Sequence, residues 1–158
     1  MKKIMFISST GGHFSELMQL KKIINDNDYY IITEKTKSNV SLKKKHPGRV
    51  SFLIHGSKDH MLTYPFKFIF NSIKSLFLYF KIHPDYIVTT GAHVAGIMCI
   101  FGKLFGSRVI YIETFANMKS KTLTGSLVYK LHAYHYFIVQ WESMLEFYPK
   151  AIYGGWIY

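Results

Sequence analysis

Short apolar runs bounded by turn residues alternate along this chain with longer stretches whose apolar residues recur every three or four positions. Ile4-Met5-Phe6-Ile7 is the first run, apolar at successive positions, which is the pattern of a parallel strand buried on both faces. Runs of this kind predict strands near 3–8, 28–33, 50–54, 85–90, 107–112 and 136–140. Spacings such as Leu17, Leu20 and Ile24 predict helices near 13–24, 62–82, 93–105, 123–134 and 142–147. Strands alternating with helices make a parallel sheet with crossover helices, so the fold class is α/β, a doubly wound parallel sheet. A length of 158 residues suits a single domain over 1–158 with a substantial core, and no linker or internal repeat divides it.

Ligands of such sheets lie beyond the carboxyl ends of the strands, so the loops there carry the chemistry. The first of these loops reads Ser9-Thr10-Gly11-Gly12-His13. Adjacent glycines let the backbone turn sharply and approach a ligand closely. The helix that follows points free N–H groups at the same place, which suits a phosphate. His13 is the side chain there that exchanges a proton near neutral pH. Two common phosphate motifs are absent: the glycines do not make G-x-G-x-x-G, and no G-K-[ST] follows them. Glu34, at the end of the second strand, is the single match to a ribose-binding acid. Thr89-Thr90-Gly91-Ala92-His93 repeats the elbow after the fourth strand. There Thr90, Gly91 and His93 either hold a phosphate or sugar oxygen, or a hydroxyl simply caps the next helix. Glu113 follows the fifth strand, where it is either a base or a structural loop acid.

The stretch 65–82 reads differently from the other helices. Lys67, Asn71, Lys74 and Lys81 share one narrow stripe, and Phe66, Phe68 and Phe77 are among the apolar residues that cover the rest. It is too short and too interrupted by lysine to span a membrane. An interfacial helix fits, with aromatics at the acyl boundary and Lys74 and Lys81 at the headgroups; the competing reading is an ordinary crossover helix packed on the sheet.

Charge strengthens the interfacial reading. Lys and Arg number 20 against 9 acids, a net charge of +11, which selects anionic company. Lys35, Lys37, Lys43, Lys44, Lys45 and Arg49 line the second loop, either as a solvated basic surface or against an anionic leaflet, where each lysine contributes about 1 kcal/mol. No nucleic-acid-binding module pattern is present, so nucleic acid is not the expected partner. Cys99 is the single cysteine and excludes an intramolecular disulfide. His132 and His135 lack cysteine or carboxylate neighbours in sequence, so no metal site is expected. No signal-peptide pattern opens the chain, which predicts a cytoplasmic location.

Gly11-Gly12-His13, Thr90-Gly91-Ala92, Tyr111-Ile112-Glu113-Thr114, Val139-Gln140-Trp141 and Tyr148-Pro149-Lys150-Ala151-Ile152-Tyr153-Gly154 together resemble a known family over nearly the whole chain. It is the membrane-anchoring subunit of the split UDP-N-acetylglucosamine transferase of lipid-linked oligosaccharide synthesis, with bacterial capsule and exopolysaccharide relatives of the PssD or CpsF type. More distantly the chain is similar to the N-terminal half of MurG-like GT-B glycosyltransferases. The resemblance implies a Rossmann-like acceptor-side domain whose active site is completed by a small nucleotide-sugar-binding partner subunit. It implies transfer of a sugar, with inversion, from a UDP-sugar to a lipid-pyrophosphate-linked acceptor, at the cytoplasmic face of the cell membrane and without a cofactor of its own. The helix at 62–82 is then expected to do the anchoring on an anionic membrane surface. His13 is the first candidate for the base and Glu113 the second; Ser9, Thr10, Gly11, Gly12, Thr90, Gly91 and His93 are the candidate acceptor-phosphate residues. Trp141, Tyr153 and Trp156 near the C-terminus form either the partner interface or an edge strand of the same domain. The alternative from another class is a scaffold that only recruits and activates a partner transferase.

Overall fold

The computed structural model describes residues 1–56 and 64–157. In chain order it contains β1 (Lys3–Ser8), α1 (Gly12–Leu17), α2 (Lys21–Asn25), β2 (Asp28–Glu34), α3 (Leu42–Lys45), β3 (Val50–Leu53) and α4 (Tyr64–Ile82). There follow β4 (Tyr86–Gly91), α5 (Val94–Phe105), β5 (Arg108–Ile112), α6 (Leu123–Lys130), β6 (Tyr136–Val139), a 3-10 helix (Glu142–Glu146) and β7 (Ile152–Tyr153). The strands form one parallel sheet in the order β3-β2-β1-β4-β5-β6-β7. The chain winds outward from β1 to β3, returns through α4, and winds the other way from β4. The switch point therefore falls between β1 and β4, where open sheets of this kind bind ligands.

Alternation along each strand divides the core in two. Met5, Ile7, Ile87, Val109, Tyr111 and Phe137 pack with Leu78, Tyr79, Met98, Cys99 and Val128 from α4, α5 and α6. Ile4, Phe6, Val88 and Ile112 face the other way, onto Leu17, Leu20 and Ile24 of the α1–α2 region. On this second face Val88, Ile110, Ile112, Ile138 and Ile157 line, with Leu20 and Ile23, an apolar cavity of about 430 Å³.

Several elements depart from expectation. The helix expected over 13–24 breaks into α1 and α2 around Met18-Gln19-Leu20, although its three spaced apolar residues are all buried. The basic second loop contains the short α3. The helix over 123–134 stops at Lys130, because His132 turns to a φ of +52° and the chain enters β6. Residues 142–146 wind as a 3-10 helix rather than an α-helix. Ile152-Tyr153 adds the edge strand β7, the edge-strand alternative for the C-terminal segment.

Within α4, whose expected first residues, 62–63, lie outside the described residues, two positions depart from expectation, Asn71 and Phe68. Asn71, which the spacing puts on one stripe with Lys67, Lys74 and Lys81, is buried, donating from Nδ2 to the Ile54 carbonyl and accepting the Ile54 N–H at Oδ1, both at 2.8 Å. Ser75 is buried beside it on the same face. Phe66 and Phe77, 74% and 64% exposed, point outward together with Ile69, Phe70, Ile73 and Phe80. These positions repeat at three- and four-residue steps, so they make one apolar ridge on the solvent side. Phe68 does not belong to it: half-buried, it stacks on Tyr64 at 6.4 Å. No helix among the described residues is long and apolar enough to cross a membrane.

Candidate functional site

The loops after β1 and β4 meet at the switch point. Pairing of the two strands runs in register from Ile4 with Tyr86 to Ile7 with Thr89, then slips by one residue so that Ser8 lies beside Gly91. The slip turns Thr90 toward the first elbow. His13 Nδ1 lies 2.8 Å from the Thr90 carbonyl oxygen, and Thr90 Oγ1 donates to the His13 carbonyl at 2.6 Å. A carbonyl oxygen only accepts, so this bond requires the proton on Nδ1 and leaves Nε2 with its lone pair in the neutral ring. The histidine is thus held by two bonds in the tautomer a general base needs.

The backbone around it is constrained. Gly91 takes φ +99°, and a Cβ there would stand 2.7 Å from the Tyr111 hydroxyl and 3.8 Å from His13 Cε1. Ala92 and His93 also adopt positive φ, +66° and +25°, a conformation that non-glycine residues hold only where the surroundings impose it. The His93 ring meets Tyr64 edge-on at 6.0 Å. Gly11, at φ +80°, and Gly12 are both exposed, with open space where a Cβ would be. Beside Thr10 and Gly11, Ser38, Asn39, Ser41 and Lys45 enclose a cavity of about 240 Å³. Asn39 shapes this wall by donating to the Glu34 carbonyl at 2.7 Å and accepting the Thr36 N–H at 2.9 Å.

Two expected ligand groups turn inward. Thr90 is fully buried and spends its polar atoms on His13; Ser9 is buried as well, and its N–H reaches the Gly91 carbonyl at 3.5 Å. The helix-cap alternative for these hydroxyls also fails, since α5 has no side-chain cap. Glu113 is 1% exposed. It accepts from Thr122 Oγ1 at 2.8 Å, from the Tyr148 hydroxyl at 3.0 Å and from the Thr114 N–H at 3.3 Å. Burial pushes its carboxyl above the usual range, while those donors and the His13 charge pull it part of the way back. Thr122 in turn caps α6, accepting the Gly125 N–H at 2.9 Å. A group so enclosed is the structural loop acid of the two alternatives, not a base open to an acceptor. Thr114 ties this cluster to the first elbow by donating to Glu16 at 2.8 Å.

At the far end of the sheet, Trp141 donates from Nε1 to the Phe115 carbonyl at 2.8 Å and packs on its ring at 4.7 Å. Trp156 leans on both rings, at 5.6 and 5.9 Å, and is 70% exposed; Tyr153 is half-exposed on β7. His135 is taken by the fold, its Nδ1 accepting the Val109 N–H at 3.0 Å. Among the described residues no cluster of three or more His, Cys, Asp or Glu is placed to hold a metal ion.

With this geometry in place, comparison with known proteins is decisive for the family. Residues 4–157 match the model of the family described as oligosaccharide biosynthesis protein Alg14 like. The chain belongs to the Alg14-like family. Its relatives include the UDP-N-acetylglucosamine transferase subunit ALG14 of Homo sapiens, 23% identical over 96% of this chain and 81% of that one. The proteins of the same name from Mus musculus, 24% identical over 97% and 82%, and Schizosaccharomyces pombe, 23% over 98% and 82%, match similarly. Among solved structures, Acinetobacter baumannii MurG superposes with a TM-score of 0.70 at 17% identity, covering 90% of this chain and 42% of that one. The UDP-GlcNAc 2-epimerase of Methanocaldococcus jannaschii gives 0.64 at 14%, covering 87% and 39%. The chain thus spans about two fifths of these larger proteins, which establish its GT-B-type Rossmann-like fold. The Alg14-like matches are to transferase subunits and give no support to the capsule and exopolysaccharide branch of the PssD or CpsF type.

Proposed function

We propose that this chain is the acceptor-binding, membrane-docked subunit of a two-subunit inverting glycosyltransferase, weak or inactive alone. It moves a sugar from a UDP-sugar, held mainly by a small partner subunit, to a lipid-pyrophosphate-linked acceptor. The observation that carries this reading is His13, locked through Nδ1 on Thr90 at the switch point with Nε2 left as the free ring nitrogen. In the reaction the acceptor hydroxyl oxygen bonds to the anomeric carbon as the bond to UDP breaks, and Nε2 takes the hydroxyl proton. The imidazolium so formed lies within the field of the buried Glu113, the pair already being coupled electrostatically. Glu113 is therefore a positioning residue in this proposal.

The exposed Gly11–Gly12 turn and the cavity walled by Thr10, Ser38, Ser41 and Lys45 provide donors for the acceptor pyrophosphate. No cofactor enters the reaction. The α4 ridge supports peripheral membrane docking, which this reading puts at the cytoplasmic face. Trp141, Tyr153 and Trp156 support a partner interface along the β6–β7 edge, which the apolar cavity adjoins through Ile138 and Ile157.

The test is sugar transfer from UDP-N-acetylglucosamine to a lipid-pyrophosphate acceptor by the chain co-expressed with a nucleotide-sugar-binding partner. His13→Ala is expected to lose about 100-fold or more in kcat, while partner capture and vesicle binding persist. Full activity in the variant removes His13 from the chemistry and leaves the scaffold reading, in which this chain only recruits and activates the partner.

A further inference from the structure

A second basic concavity, sharing no lining residue with the elbow cavity, opens at the β3 edge of the sheet. Its volume is about 520 Å³. Lys35 follows β2, Lys43 comes from α3, His55 follows β3 and Lys74 comes from α4, so four separate segments bring a cationic or imidazole group to one hollow. No acid lines it. Glu34, 4% exposed at its side chain, lies 3.1 Å from His55 Nδ1 and orients the ring from outside the cavity. Lys43 Nζ sits 5.6 Å over the Phe52 ring, which fixes one ammonium against the floor. As the terminal strand of the sheet, β3 pairs with β2 alone, so its outer backbone edge faces the same side.

The position of the hollow relative to α4 identifies the source of the anion. At about 100° per residue, Lys67, Lys74 and Lys81 fall about 60–100° around the helix from the middle of the Phe66–Phe80 ridge. They border one flank of that ridge, and Lys74 on this flank opens into the cavity. With the ridge in the acyl boundary, the cavity stands at the level of the headgroups. We propose that the Lys35–Lys43–His55–Lys74 cavity binds the phosphate of an anionic phospholipid headgroup and makes docking selective for anionic membrane. The inference rests on α4 docking at a membrane. A nucleic acid would require the apolar ridge beside the site to stay in water, and the structure favours the lipid on that ground.

The experiment is co-flotation of the full chain with phosphatidylcholine vesicles, with and without phosphatidylglycerol. Wild type is expected to float with the mixed vesicles and weakly with the neutral ones. Lys35→Ala with Lys43→Ala should partition about 30-fold less onto the mixed vesicles, whereas Lys21→Ala with Lys22→Ala on α2, carrying the same charge change on the other sheet face, should lose under about threefold. Equal losses by the two variants, or none by the first, overturn the headgroup site while leaving docking in place. Wild type that floats with neither vesicle overturns docking itself. Inorganic phosphate titrated against the free chain distinguishes the sources: saturable shifts of the His55 ring resonances, without vesicle selectivity, would reassign the cavity to a free phosphate. Shifts under oligonucleotide but not under vesicles would reassign it to nucleic acid.

Discussion

Replacing Phe66 and Phe77 together by serine tests the orientation of α4. Both rings are largely exposed, 74% and 64%, and a phenylalanine carries about 200 Å² of surface, so the pair presents about 280 Å² of apolar area to its surroundings. At about 25 cal/mol per Å² this is about 7 kcal/mol for complete transfer into hydrocarbon, and half of that still amounts to more than about 100-fold in partitioning. Folding stability should barely respond, within about 0.5 kcal/mol, because neither ring packs in the core. The assay pairs vesicle co-flotation with urea denaturation of the same protein. Phe68→Ser is the internal contrast: half-buried against Tyr64, it should lose stability while keeping most of its vesicle binding. Unchanged flotation by the Phe66/Phe77 variant, or loss of stability equal to that of Phe68→Ser, refutes the outward ridge as the docking surface.

Gly91→Ala should cost about 2–4 kcal/mol and abolish transfer, since φ +99° is strained for alanine and its Cβ would meet the Tyr111 hydroxyl, whose ring is stacked on Phe137 at 4.8 Å; thermal melting checks it, and a wild-type melting temperature would contradict the clash. Glu113 titrates above the ordinary carboxylate range in the folded chain, so the folded state binds that proton more tightly than the unfolded one. Its contribution is complete below the unfolded pKa and is lost as pH rises through the raised folded value; urea midpoints of Glu113→Gln across that window should lack this decline, and parallel curves for the two proteins would disprove it.

The sheet was legible because its signal is local. Six of the seven strands are short, mainly apolar runs with at least one buried residue, and their positions follow from that pattern. β7 escaped because two residues carry no periodicity, and α3 because four residues among lysines read as a loop. The elbow was legible for a chemical reason: adjacent glycines mark a backbone free to turn sharply, and Gly11 does so at φ +80°. What holds His13, the Thr90 carbonyl, depends on a one-residue slip between β1 and β4 that no side-chain pattern announces. Glu113 stayed open between base and structural loop acid for the converse reason. Its position after β5 is compatible with either role, and the approach of Thr122 and Tyr148, which encloses it, is not written in the local sequence. The cavity wall of Ser38, Asn39 and Ser41 left one trace in the sequence, a run of hydroxyl and amide residues that favours an Asx-type turn.

On the proposed reading, the outward aromatic face of α4 also explains how one fold can serve both a bilayer and a pyrophosphate. A helix retained only to cover the sheet would turn its phenylalanines inward; α4 instead gives Asn71 and Ser75 to the interior and fixes its middle through the two Asn71–Ile54 bonds. The fully buried apolar residues of α4, Leu78, Tyr79 and Ile82, lie in its last turns. In a parallel sheet every crossover helix begins at the carboxyl edge of the strands, the edge that also carries the ligand loops. The ridge therefore starts beside the site: Tyr64, the first described residue of α4, touches His93, two residues from the Gly91 turn over which His13 lies. From Phe66 to Phe80 it runs about 21 Å away from that edge. On the proposed reading, an acceptor can keep its lipid in the membrane along α4 while its pyrophosphate reaches the elbow. The short link from ridge to histidine is then a consequence of topology: α4 begins at the edge that carries the ligand loops.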